Sequence, residues 1–222
     1  MTVPAGGGEH HFPGYDVTAG VDSWDEVTAG VVLARLAPPP AIRFFSHGEE
    51  PTARALVDRL LGQDGDPKVP AFEMIDQRLL NRQGDGFRFA DMPEDPEAWQ
   101  RSIAGLDEES RARFGRPFWD LSRSEQIDMI EWFQTLEGDW RGMPAKRVFS
   151  LWTRYACDAF YSHPWAWNEI GFGGPAYPRG YKNLGLGRRE PWEVQERDAM
   201  DPIPWAERVE AARRRHAGGD VQ

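Results

Sequence analysis

The chain has 222 residues, 40% hydrophobic and 28% charged, with a formal net charge of −10 and a pI near 5.0. These are the values of a globular protein of one large or two small domains, and the acidic balance argues against nucleic acid or an anionic membrane surface as the main partner. A single cysteine, Cys157, excludes an internal disulfide and any multi-cysteine iron or zinc cluster, and there is no run of ~20 apolar residues to span a bilayer. The compositional outlier is ten Trp, beside 18 Pro and 23 Gly. Trp collects in cores and at the energetic centres of interfaces, so the excess fits either a large aromatic core or surface buried against a partner.

Residues 1–41 read as an extended N-terminal arm. Their opening, MTVPAGGGEHHFPGYDV, lacks a basic region, an apolar region and a twin-arginine pair, so it is not a signal peptide. The chain therefore reads as cytoplasmic, with periplasmic co-export on a signal-bearing partner as the alternative. His10 and His11 lie on a small-residue tail and read as solvated rather than as metal ligands. WDEVTAGVVLARL, from Trp24 to Leu36, suits a helix or a strand. Pro38, Pro39 and Pro40 form a stiff strut that Ile42, Phe44 and Phe45 anchor.

Residues 42–162 read as a helical domain. Ser46 and Glu49 have capping-box spacing ahead of Ala53, Leu56, Val57, Leu60 and Leu61, and Gly62 stops that helix. Pro70 opens a second helix whose buried stripe is Phe72, Ile75 and Leu79, ending near Arg82. GDGFRFADMPEDPEAWQ is loop, and its acids Asp85, Asp91, Glu94 and Asp95 lack the order of a calcium loop, so they read as a solvated face. A helix from Pro96 to Gly105 leads to Asp107, placed to cap another short turn through Arg113. Phe114, Phe118, Trp119 and Leu121 gather around Pro117. Ser122 and Glu125 open the next helix, with Ile127, Ile130, Phe133 and Leu136 on one face and Met129 and Trp132 widening it.

The helix that starts at Met143 places Val148, Leu151, Trp152, Tyr155, Ala156, Ala159 and Phe160 on one face. Several helices with apolar stripes are satisfied most simply by helix-on-helix packing, so the expected fold is mainly α: an irregular helical bundle with extended N-terminal and C-terminal arms.

Residues 163–222 read as an aromatic docking arm and a C-terminal helix. Gly171, Gly173, Gly174, Pro175, Pro178 and Gly180 exclude an ordinary helix, yet the same stretch carries large rings that need a surface to lie on. The expected partner-interface residues are Trp165, Trp167, Gly171, Phe172, Gly174, Tyr177 and Tyr181, with the two glycines letting the arm lie close to its partner. The alternative is an arm that folds back on its own helices. PIPWAERVEAARRRHAGGD reads as a polar helix with Trp205 and Val209 as its large apolar residues and Arg213 to Arg215 as a solvated end.

No catalytic motif emerges. GFGGP at 171–175 follows a helix rather than a strand, which excludes a dinucleotide loop, and no phosphate loop, haem attachment sequence, nucleophile elbow or His-Glu-x-x-His helix occurs. Cys157 and His163 are six residues apart and fall on different helix faces; Cys157 reads as a buried inert thiol. His163, before Pro164, reads as a helix-end residue whose ring bonds freed carbonyls. The rival to a binding role is an independent enzyme with a pocket of His163, Asp158 and Glu169, and a third reading is an assembly chaperone.

FFSHGEEPTARALVDRLLGQD, VPAFEMIDQRL, ARFGRPFWDLSRSEQIDMI and FSLWTRYACDAFYSHPWAWNEIGFGGPAYPRGY together resemble the gluconate 2-dehydrogenase subunit 3 family over roughly residues 42 to 190. The most specific block is F-Y-S-x-P followed by N-x-x-x-G-F-x-G-x-x-Y, carried here by Phe160, Tyr161, Ser162, Pro164, Asn168, Gly171, Phe172, Gly174 and Tyr177. The resemblance implies a mostly helical, non-catalytic small subunit with no cofactor of its own. It would wrap a large catalytic subunit of the glucose-methanol-choline oxidoreductase type, which holds FAD and oxidises a sugar, sugar acid or glycoside. A further electron-transfer partner stays open. Several members of the family carry a twin-arginine signal, which this sequence lacks.

Overall fold

The structure is a computed structural model that describes residues 12, 14–183, 185 and 188–194. The expected C-terminal helix and the pair His10 and His11 lie outside the described residues.

Two aspartates organise the N-terminal segment. The Asp16 carboxylate accepts the Thr18 amide and opens a 3-10 helix, Val17–Ser23, and Asp25 does the same for Thr28 at the start of α1 (Glu26–Ala34). The arm is therefore helical over much of its described length, and the ambiguity at Trp24 to Leu36 resolves to helix because the cap satisfies amides that no neighbouring strand offers to pair.

After the exposed prolines comes α2 (Glu50–Leu61), followed by α3 (Ala71–Leu80). Ser46 and Glu49 make half of the expected box: the Glu49 carboxylate accepts both the amide and the hydroxyl of Ser46, one turn ahead of the helix. Asp76, buried in α3, gathers the incoming strut by accepting the amides of Arg43, Phe44 and Phe45 at 2.9, 2.9 and 3.0 Å. That grip seats Phe45 in the core, stacked on Phe72 with ring centroids 5.4 Å apart and set edge-on to Trp99.

The expectation of two helices broken after Gly105 is corrected: α4 (Asp95–Phe114) is continuous for 20 residues. Gly105 is not a stop but a seat. A Cβ there would lie 2.6 Å from Cη2 and 2.9 Å from Cζ2 of Trp140. Asp107 caps no second turn; its carboxylate accepts the Thr52 hydroxyl at 2.6 Å and the Phe118 amide at 2.9 Å, tying α4 to α2 and to the 3-10 turn Phe118–Asp120. Phe118 and Leu121 are buried there, whereas Trp119 is exposed.

In α5 (Arg123–Gln134) the Ser122–Glu125 capping box is complete. Its buried line is Gln126, Met129 and Phe133, with Ile127, Ile130, Trp132 and Leu136 half-buried beside it. The stripe is rotated from the expected one because Phe133 points at Trp140 and Trp152, with centroids 4.8 and 4.5 Å away. A short antiparallel hairpin, β1 (Asp139–Trp140) and β2 (Met143–Pro144), then delivers Trp140 to Gly105.

The central element is α6 (Ala145–Tyr161), which packs against α2, α3, α4 and α5. The expected face is buried from Val148 to Ala159, with Phe160 half-buried at its edge. Trp152 is fully enclosed, and its indole N–H donates to Ser102 Oγ at 2.9 Å. The following segment is not irregular from its start. Pro164 at the first turn and the His163 cap support a further helix, α7 (Pro164–Ile170), and only from Gly171 do the glycines take over.

Candidate partner interface

A second, smaller cluster lies beside the bundle: Val17, Trp24 and Val32 from the N-terminal segment enclose Trp167 of α7. Trp167 donates its indole N–H to the Tyr161 carbonyl at 2.6 Å, and the Arg35 guanidinium lies over its ring at 5.8 Å. The Val17 amide donates to Asn168 Oδ1 at 2.8 Å, and the Tyr15 hydroxyl bonds the Trp192 carbonyl at 3.3 Å. Arg179 bolts the two segments together. Its guanidinium faces the rings of Trp192 and Trp24 at 4.1 and 5.9 Å and donates to Ser23 Oγ at 2.9 Å and to the Gly173 carbonyl. Further along, the buried Glu190 carboxylate accepts the amides of Lys182 and Asn183. The two arms thus form one clasp.

The seven expected interface residues divide. Trp167 and Gly174 face inward. The close approach that Gly171 and Gly174 allow is made by this chain itself: a Cβ on Gly174 would meet Trp24 at 2.5 Å, and one on Gly171 would meet Val194 at 2.5 Å and Phe12 at 2.7 Å. Trp165 is half-buried in the wall of a groove of about 650 Å³, with Pro38, Pro39, Phe72 and His163 around it. Phe172, Tyr177 and Tyr181 present their rings to solvent at 42%, 70% and 50% exposure, and Ile170 beside them is half exposed at 50%. Phe172 is braced edge-on against Trp167, centroids 5.4 Å apart. The outward rings therefore ride on a packed support rather than on a free tail.

The three residues of the rival catalytic pocket are not brought together. His163 is buried in the 650 Å³ groove, Asp158 lines a separate cleft of about 240 Å³ and pairs with Arg78 at 3.2 Å, and Glu169 is in the wall of neither. The His163 ring joins two helix ends: its Nδ1 accepts the Trp165 amide at 3.2 Å and so caps the start of α7, and the ring also hydrogen-bonds the backbone of Arg35 at the C-cap of α1. Burial outweighs that bond and pushes its pKa down to about 4. Cys157 is exposed rather than buried, and desolvation with the nearby Asp158 raises its thiol pKa, the opposite of nucleophile activation. Among the described residues no group of three or more His, Cys, Asp or Glu could hold a metal ion, and no helix is long and apolar enough to cross a membrane.

The family model described as Gluconate 2-dehydrogenase subunit 3 matches residues 47–174, more than half of the chain. The chain belongs to this family. No curated protein and no solved structure matches it. The gluconate 2-dehydrogenase subunit 3 match starts just before α2 and stops at Gly174, so it contains the bundle and α7. The segments that enclose Trp167 and the Arg179 bolt lie outside it on either side. The family consists of accessory subunits of dehydrogenase complexes, which work with a larger catalytic partner. Arg179 and Asn168 carry the clasp, and sequence reasoning did not single out Arg179. The one signal for it was its place between two Trp-bearing segments, which says nothing about which rings it meets.

Proposed function

We propose that this chain is a non-catalytic small subunit that binds and stabilises a larger FAD-dependent oxidoreductase of the glucose-methanol-choline type, which oxidises a sugar, sugar acid or glycoside. The observation that carries the reading is the outward set Phe172, Tyr177 and Tyr181, held on the clasp with their backbones already placed. Large rings that expose area at low conformational cost are what interface centres are made of. FAD and the proton-accepting group belong to the partner. This chain contributes shape, and the scattered positions of His163, Asp158 and Glu169 disfavour chemistry of its own.

Co-expression with the flavoprotein tests this. A yellow heteromer that survives size-exclusion chromatography supports it, and a colourless chain that elutes alone beside a soluble flavoprotein overturns it. An assembly chaperone would instead be missing from the mature peak.

A further inference from the structure

The loop between α3 and α4 presents a feature that docking through the aromatic arm does not use. Phe87 and Phe89 are 58% and 43% exposed, yet the loop that bears them is tied down. Asp85 sits between the guanidinium groups of Arg78 and Arg154, Asp91 pairs with Arg147 at 3.1 Å, and Arg88 donates to the Met92 carbonyl at 2.8 Å above the buried Met92 side chain. The two rings meet edge to face at 5.6 Å. Arg147 stacks on Phe89 at 3.9 Å and Arg154 faces Phe87 at 5.6 Å. Two half-exposed phenyl rings on a preordered loop form a knuckle whose ordering cost is met before any partner arrives.

Phe87 is also one wall of a cleft of about 750 Å³, completed by Arg78, Arg82, Arg88, Glu94, Asp95 and Tyr155. Its charges are not equally available. Asp95 accepts the Tyr155 hydroxyl at 2.6 Å, and Arg78 is used up by Asp85, Asp158 and the Gln83 carbonyl, with its plane 4.2 Å from the Tyr155 ring. Among the described residues Arg82 pairs only with Glu94 at 2.8 Å, and both side chains are largely solvated, so that pair contributes little. Arg88 is exposed and spends a single N–H on Met92. A chain of net charge −10 thus opens a cleft with two replaceable guanidinium contacts beside two apolar rings.

We propose that the Phe87–Phe89 knuckle and the adjoining cleft receive an acidic, apolar-flanked peptide segment of the larger catalytic subunit, as a contact separate from the aromatic arm. The proposal rests on the reading that this chain works within a complex. The partner carboxylate takes the place of Glu94 on Arg82 and meets Arg88, while the neighbouring apolar side chain lies on Phe87. Charge complementarity selects the segment, and the rings hold it.

The test uses the full-length chain and its purified catalytic subunit, with affinity measured by biolayer interferometry at low and high salt. Phe87→Ser/Phe89→Ser and Arg82→Glu/Arg88→Glu are compared with Trp119→Ser, a control that removes an exposed ring of the 3-10 turn beyond the C-terminal end of α4. All five side chains are exposed, so unchanged melting temperatures report intact folding. The expected result is at least about tenfold weaker binding for each double variant, an unchanged control, and a salt sensitivity that the charge reversal abolishes. Unchanged affinity of both double variants, with the wild-type complex intact, overturns this inference alone; loss confined to the phenyl variant overturns the acidic chemistry. Absence of any wild-type complex overturns the accessory-subunit reading as well.

Discussion

The amide of Val17 and the side chain of Asn168, 151 residues apart in sequence, share a buried hydrogen bond of 2.8 Å. It joins the N-terminal segment, outside the family match, to α7, inside it. Asn168→Ala leaves the Val17 amide buried without a partner, at about 1–3 kcal/mol. The loss falls on the clasp rather than the bundle. Hydrogen exchange is expected to quicken over residues 14–34 and to stay unchanged in α2 through α6; equal quickening everywhere would mean that the clasp and bundle unfold as one unit.

Gly105 and Gly30 give opposite outcomes on replacement by alanine. Helix propensity favours alanine at both by roughly 0.5–1 kcal/mol. At Gly30 the new Cβ meets nothing within 4 Å, so α1 gains stability. At Gly105 it would strike the buried Trp140 ring, and overpacking of about 1–3 kcal/mol outweighs the propensity gain. Urea denaturation of Gly105→Ala should show net loss, and exchange rates in α1 of Gly30→Ala should fall.

Much of the bundle was legible because it is written locally. Ser122 and Glu125 are three residues apart, and the α6 face repeats with the helical period, so caps and stripes announce themselves. Three of the errors share one cause: the deciding partner is distant in sequence. Gly105 looks like a helix stop until Trp140 occupies it, and Asp107 looks like a cap until Thr52 and Phe118 claim its oxygens. Trp167 looks like a docking ring until Val17, Trp24 and Val32 cover it. Periodicity finds a buried face but not what buries it. The same limit hid the Asp76 grip on residues 43–45.

That grip makes Asp76 a severe site. Asp76→Ala strands three amides that now share one buried carboxylate and frees Phe45 from Phe72, so a loss of about 3 kcal/mol or more is expected in equilibrium unfolding. Asp76→Asn keeps one oxygen acceptor and should lose distinctly less. Equal loss for both variants would argue against the hydrogen-bond account.

His163 sets a pH dependence. Its folded pKa is pushed down from the ordinary 6.5 to about 4 by burial, so the fold favours the neutral ring. The stability that this contributes is complete above about pH 6.5 and is lost as pH falls toward 4. His163→Asn retains a side-chain acceptor for the Trp165 amide but carries no titrating proton. Melting temperature plotted from pH 7 to 4 should fall more steeply in the wild type than in this variant; parallel curves would assign the acid sensitivity elsewhere.

The central claim is that the outward rings of the clasp hold this chain to its catalytic subunit. It is tested most directly by light scattering coupled to size-exclusion chromatography, applied to the co-expressed pair with wild-type chain and with Phe172→Ser/Tyr177→Ser/Tyr181→Ser. A heteromer with flavin absorbance for the wild type, and separated components with an unchanged melting temperature for the variant, is the predicted result. A triple variant that stays in the complex as firmly as the wild type would contradict it.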